Sequence, residues 1–86
     1  MIKVLAVPTY GYNVEKVEIT RLLKAPGDLF ALDEPIYELE TDKVNQQVEA
    51  PFAARLVRWW VAEGDVVPVG QPVADVEVEV EVEVEA

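Results

Sequence analysis

The sequence predicts an all-β domain: a flattened β-barrel, or barrel-sandwich hybrid, of two four-stranded antiparallel sheets with internal pseudo-twofold symmetry. The first observation behind this is a repeat. Sliding the chain by 37 positions lays Arg21 on Arg58, Ala25 on Ala62, Gly27-Asp28 on Gly64-Asp65, Pro35 on Pro72 and Glu40 on Glu77, without a gap. Apolar pairs keep the same register: Ile19 on Leu56, Leu22-Leu23 on Trp59-Trp60, Leu29-Phe30 on Val66-Val67 and Ile36 on Val73. Two copies are too few for a stacked array, which needs about three, so two half-folds packed face to face fit better. The second observation is that helical spacing is not sustained over any window, whereas short β-branched runs recur between proline and glycine breaks.

The first run, Ile2 to Val7, is β-branched and is stopped by Pro8. Thr9-Tyr10-Gly11-Tyr12-Asn13 reads as an exposed loop, because glycine and asparagine tolerate positive φ and nothing apolar repeats. The next strand spans about Val14 to Leu23, with Val17, Ile19 and Arg21 expected on one face and Lys16, Glu18 and Thr20 on the other. Pro26-Gly27-Asp28 is a tight turn in which proline presets one central φ and glycine takes the positive-φ position after it. Short strands follow at Leu29 to Leu32 and Ile36 to Glu40, separated by Asp33-Glu34-Pro35.

Glu40-Thr41-Asp42-Lys43-Val44 then joins the two halves, and Asn45 to Glu49 forms a polar, edge-like strand broken by Ala50-Pro51. Leu56 to Val61, Val66-Val67 and Pro72 to Glu77 copy the first half, with Glu63-Gly64-Asp65 as the repeated turn. Adjacent Trp59 and Trp60 must face opposite sides of their strand. One is expected to fill the core and the other to cover the rim of the sheet.

Composition bounds the function. At 86 residues the chain is one small domain, at a size where folding buries roughly 60 to 65 % of the extended chain's surface. It has no cysteine and no histidine, so no disulfide, thiolate zinc site or other metal site is expected. Acid-base work near neutral pH would need a strongly perturbed carboxylate or lysine. Thiol chemistry would need an imported sulfur. A self-sufficient enzyme is not expected, and no catalytic residue is assigned.

The net charge is −10, half of it from Glu77, Glu79, Glu81, Glu83 and Glu85. Such a surface does not neutralise phosphates, so neither nucleic acid nor an anionic membrane is an expected partner. No basic segment followed by a long apolar stretch precedes the first strand, and a cytoplasmic protein is the default reading. The domain is expected over residues 1–77. Residues 78–86 repeat Val-Glu with period two and read as an acidic linker stub, because glutamates at every second position repel an in-register copy.

Lys43 sits on the junction of the repeat. Strand pairing around it makes a hairpin whose tip presents side chains to solvent on a backbone fixed by the flanking ladder. That is the access and geometry a modifying enzyme needs, although exposed turns are also where lysines ordinarily sit. Lys3 and Lys16 fall in strands, and Lys24 lacks the Glu-Thr-Asp context.

Val7-Pro8, Gly11, Leu23-Lys24, Pro26-Gly27-Asp28, Asp33-Glu34-Pro35, Glu38-Leu39-Glu40-Thr41-Asp42-Lys43-Val44, Ala50-Pro51, Glu63-Gly64-Asp65 and Gly70-Gln71-Pro72 together resemble the lipoyl domain of 2-oxo acid dehydrogenase complexes, over roughly residues 2 to 77. The resemblance implies the same two-sheet flattened barrel, with the lysine at a hairpin tip and both termini at the far end. It implies lipoic acid in amide linkage on Lys43, which removes the lysine charge and supplies the two sulfurs that the chain lacks.

By the same resemblance the domain is a non-catalytic carrier within a dihydrolipoamide acyltransferase component. It would shuttle acyl groups and reducing equivalents between a thiamin-diphosphate-dependent 2-oxo acid decarboxylase, the acyltransferase core and a dihydrolipoyl dehydrogenase, after modification by a lipoate ligase or lipoyl transferase. Its contribution is local concentration by tethering.

Glu40, Thr41, Asp42 and Val44 would be read by the modifying enzyme. Tyr10, Gly11, Tyr12 and Asn13 form the loop that in this family lies near the lysine and influences recognition by the decarboxylase; Tyr12 stands where glutamate is frequent. Biotinyl carrier domains share the fold but characteristically flank the lysine with methionines, where this chain has Asp42 and Val44. A biotinyl carrier and an unmodified structural module are the alternatives.

Overall fold

A computed structural model describes residues 1–9, 15–42 and 44–78. Eight strands follow one another: β1 (Ile2–Ala6), β2 (Lys16–Leu22), β3 (Leu29–Phe30), β4 (Pro35–Glu40), β5 (Asn45–Glu49), β6 (Ala54–Trp59), β7 (Val66–Pro68) and β8 (Pro72–Glu77). They form two antiparallel four-stranded sheets, ordered β1-β8-β6-β3 and β5-β4-β2-β7. Each ladder stays within its own sheet, so the hybrid lies toward the sandwich. The 37-residue offset carries β2, β3 and β4 onto β6, β7 and β8, while β5 and β1 take the matching outer places. The repeat in the sequence is therefore a pseudo-twofold that exchanges one sheet for the other.

Alternation builds the core. Val17 and Ile19 of β2, Leu39 of β4, Leu56 of β6 and Val73 and Val76 of β8 are buried between the sheets together with Tyr37, while Lys16, Glu18, Arg55 and Glu77 are exposed. Among the described residues every fully buried large side chain is apolar or aromatic, so burial of area rather than polar networks holds the halves together.

The two repeated turns interlock these halves. Gly27 and Gly64 have φ of 94° and 95°, a region in which a Cβ is strained. Their backbone N–H groups reach across to the other half of the chain, Gly27 to the Leu56 carbonyl at 2.8 Å and Gly64 to the Ile19 carbonyl at 2.6 Å, continuing the β3–β6 and β2–β7 ladders. The chain returns the bond in both places: Leu56 N–H donates to Asp28 O at 2.9 Å and Ile19 N–H to Asp65 O at 2.8 Å. Each turn is closed by its own aspartate, with Asp28 Oδ2 accepting from Ala25 N at 2.8 Å and Asp65 Oδ2 from Ala62 N at 2.9 Å. The interlock thus needs a positive-φ residue followed by aspartate, which is the pair that the repeat preserves.

Several expected boundaries move. The second long strand begins at Lys16 among the described residues and ends at Leu22; the third ends at Phe30; the sixth runs from Ala54 to Trp59 rather than from Leu56 to Val61. A bulge explains the lost alternation in β2: its register against β4 shifts between Ile19 and Arg21, so Arg21 is exposed rather than sharing the buried face of Val17 and Ile19. β6 has the same shift against β8, between Leu56 and Arg58.

The tryptophans divide as alternation requires. Trp59 packs on the core, edge-on to Tyr37 with ring centroids 5.8 Å apart, and its Nε1 donates to the Lys24 carbonyl at 2.8 Å. Trp60 is 51 % exposed on the outer surface, where its Nε1 donates to Asp75 Oδ1 at 3.0 Å and the Arg58 guanidinium lies 4.0 Å from its ring centroid. At the end of β8, Val78 N donates to the Met1 carbonyl at 2.9 Å. The Val-Glu stretch from Glu79 onward lies outside the described residues, as does Val14.

Candidate modification site

β4 and β5 form the hairpin that the repeat junction predicts. Tyr37 pairs with Val48, Glu38 with Gln47, Leu39 with Gln46 and Glu40 with Asn45. Leu39 and Tyr37 are buried, so β4 is fixed to the core, whereas Asn45, Gln46 and Gln47 of β5 are exposed along the sheet edge. The turn beyond the last rung is closed by its own residues. Thr41 N–H donates to the Val44 carbonyl at 2.8 Å, and Val44 N–H donates to Thr41 Oγ1 at 3.2 Å. One threonine therefore engages both backbone polar groups of Val44 and ties the two flanks of the turn together.

Glu40, Asp42 and Val44 are exposed and Thr41 is half-buried. Lys43 lies outside the described residues, as do Tyr10, Gly11, Tyr12 and Asn13. The structure thus brings Glu40, Thr41, Asp42 and Val44 together as the described frame on both sides of the lysine in sequence.

Reading the sequence by motif misses what lies beside that frame. A polar groove of about 320 Å³ runs along the hairpin sheet, lined by Thr20, Arg21, Glu38, Glu40, Asn45, Gln46 and Gln47. Gln47 Nε2 donates to Glu38 Oε2 at 3.0 Å across the β4–β5 pair. These residues occupy outward positions of strands, where polarity is ordinary; only the pairing of β2 with β4, two strands apart in the chain, collects them.

The family model for Biotin_lipoyl, described as biotin-requiring enzyme, matches residues 3–76. The chain belongs to the biotin/lipoyl attachment family.

Family members of known role give the closer comparison. The chain is 40 % identical over 73 residues to the dihydrolipoyllysine-residue succinyltransferase component of the 2-oxoglutarate dehydrogenase complex of Bartonella vinsonii subsp. berkhoffii, covering 85 % of this chain and 18 % of that protein. It is 39 % identical over 69 residues to the dihydrolipoyllysine-residue acetyltransferase component of the pyruvate dehydrogenase complex of Corynebacterium glutamicum, covering 80 % of this chain and 10 % of that protein. This biotin/lipoyl attachment domain therefore spans less than a fifth of the length of either relative. The solution structure of the lipoyl domain of the 2-oxoglutarate dehydrogenase complex from Azotobacter vinelandii superposes with a TM-score of 0.72 at 27 % identity, covering 87 % of this chain and 95 % of that one.

Proposed function

We propose that this domain carries lipoic acid in amide linkage on Lys43 and acts as the swinging-arm carrier of a 2-oxo acid dehydrogenase complex. The observation that carries the reading is the turn from Thr41 to Val44, closed on itself at the end of a core-anchored hairpin, in a family whose attachment residue is a lysine at such a turn. The residues present suit the group. The flanking Asp42 and Val44 are exposed, no bulky side chain of the described turn is buried over the site, and the chain has no cysteine of its own.

When bound, the lipoyl group supplies a disulfide that accepts acyl groups and reducing equivalents. The chain's own residues present it. Leu39 and Tyr37 anchor the hairpin in the core, the Glu40–Asn45 rung ends the ladder, and Thr41 fixes the turn through Val44. Glu40, Thr41, Asp42 and Val44 form the surface that a lipoate ligase or lipoyl transferase reads, and the Tyr10 to Asn13 loop adds recognition by the decarboxylase.

The partners that follow are a thiamin-diphosphate-dependent 2-oxo acid decarboxylase, an acyltransferase core of which this domain is a part, and a dihydrolipoyl dehydrogenase. The acidic Val-Glu tail serves as the spacer to that core, in the cytoplasm. The names of the two relatives above, both dihydrolipoyllysine-residue acyltransferase components, support lipoate over biotin. So does the absence of methionine at positions 42 and 44. Incubation with a lipoate ligase, lipoate and ATP, and separately with a biotin ligase, biotin and ATP, tests the choice by intact mass. A single lipoyl adduct and no biotinyl adduct is the expected result; the reverse would overturn the reading.

A further inference from the structure

The pseudo-twofold makes one rung of the hairpin sheet conspicuous. Glu18 of β2 stands directly opposite Glu40 of β4, and both are exposed. Like charges placed directly opposite one another on a sheet are destabilising. The equivalent rung of the other sheet pairs Arg55 of β6 with Glu77 of β8, an attractive arrangement on the same backbone. The fold therefore accepts arginine at this position of the repeat. The repulsive choice is made only in the sheet whose turn carries Lys43, on the rung adjoining that turn.

The charges of the two sheets follow the same division. The strands of the hairpin sheet carry Glu18, Glu38, Glu40 and Glu49 against Lys16 and Arg21, whereas those of the other sheet carry Asp75 and Glu77 against Lys3, Arg55 and Arg58. A structural cost confined to one of two equivalent places points to something outside the fold that offsets it.

We infer that Glu18 and Glu40 together form a recognition element for the enzyme that modifies Lys43, engaged by a cationic side chain on the rim of that enzyme's active site. This rests on the lipoyl-carrier reading and names a residue, Glu18, outside the motif. The modifying enzyme must bring its bound acyl group to the lysine amine itself, so its surface has to cover the rung next to the turn. The polar groove that Glu40 and Arg21 help to line adjoins this rung. A cation seated between the two carboxylates removes their mutual repulsion, and its attraction falls with salt.

The experiment compares wild type, Glu18→Gln, Glu18→Arg and Arg55→Glu as unmodified 86-residue chains, measuring Tm and the kcat/KM for lipoylation by a lipoate ligase at low and high ionic strength. Glu18→Arg is expected to raise Tm, because it recreates the arginine–glutamate rung of the other sheet, and yet to lower kcat/KM by about fivefold at low salt. Glu18→Gln falls between, and the differences shrink near 1 M salt, where the Debye length is about 3 Å. Arg55→Glu is expected to lower Tm and leave lipoylation within about twofold of wild type, since steering is local to the turn. Wild-type kcat/KM in Glu18→Arg, or an equal and opposite change in Arg55→Glu showing that only net charge is read, would overturn the proposal. Failure of the wild-type chain to accept lipoate would overturn the carrier reading on which it stands.

Discussion

Thr41 and Val44 hold each other twice: the Thr41 N–H donates to the Val44 carbonyl at 2.8 Å, and the threonine hydroxyl oxygen accepts the Val44 N–H at 3.2 Å. The side chain closes a turn that the backbone bond alone would leave looser. Thr41→Val keeps the shape and removes the acceptor. It is expected to cost about 1 kcal/mol of stability, the scale of one hydrogen bond in an exposed turn, and to slow lipoylation more than it destabilises the fold. Thermal melts alongside an intact-mass time course check this; lipoylation at the wild-type rate would show that turn rigidity is not read.

The glycines of the interlocking turns make a matched pair. Beyond the adjacent residues of the chain, no described atom lies within 4 Å of where a Cβ on Gly27 or Gly64 would sit, so substitution meets backbone strain and no clash. Gly27→Ala and Gly64→Ala are each expected to cost about 1–2 kcal/mol from the left-handed conformation, with nearly equal values because the two turns are equivalent. Urea unfolding of both variants measures it. A large inequality would mean that the halves are not energetically symmetric.

Glu34 gives the pH dependence. The Lys24 ammonium donates to its carboxylate, and the Ala31 N–H donates to Oε1 at 2.9 Å, which together hold its pKa below the ordinary 4.5. A folded-state pKa below the unfolded value means that this stabilisation is fully present above about pH 4.5, fades as pH falls through the lowered value, and is absent below it. Glu34→Gln should therefore melt below wild type at neutral pH, and the gap should close in acid. A gap that is independent of pH would show that the pair contributes nothing through charge.

Trp59 and Trp60 separate packing from surface. Trp59→Phe leaves the Lys24 carbonyl without its Nε1 donor in a partly buried place and is expected to cost about 1–3 kcal/mol. Trp60→Phe gives up an exposed bond to Asp75 and is expected to cost less than about 1 kcal/mol. Chemical denaturation compares them; equal losses would contradict the division of the two rings.

Much of this fold is legible in the chain, because the repeat keeps what both halves need. Gly27-Asp28 and Gly64-Asp65 recur since the interlock requires positive φ and a side-chain acceptor, and the inward residues of β2, β4, β6 and β8 recur as apolar since both sheets bury them. The bulges after Ile19 and Leu56 are not legible, because an extra residue in a strand breaks alternation without a residue type of its own. Asp33 takes φ of 68° where the repeat has Gly70 at 89°, and an aspartate does not announce that conformation. At the site, the turn from Glu40 to Val44 is evident as a motif. Glu18 and Arg21 are not, because their place beside it comes from pairing between strands that are not neighbours in sequence.

The most direct test is to locate the adduct. The 86-residue chain made in cells supplied with lipoate, digested and sequenced by tandem mass spectrometry, is expected to carry one lipoyl group on Lys43 and none on Lys3, Lys16 or Lys24, and Lys43→Arg is expected to fold normally and carry none. A lipoyl group on another lysine, a biotinyl group on Lys43, or an unmodified Lys43 in the presence of an active ligase would contradict the account.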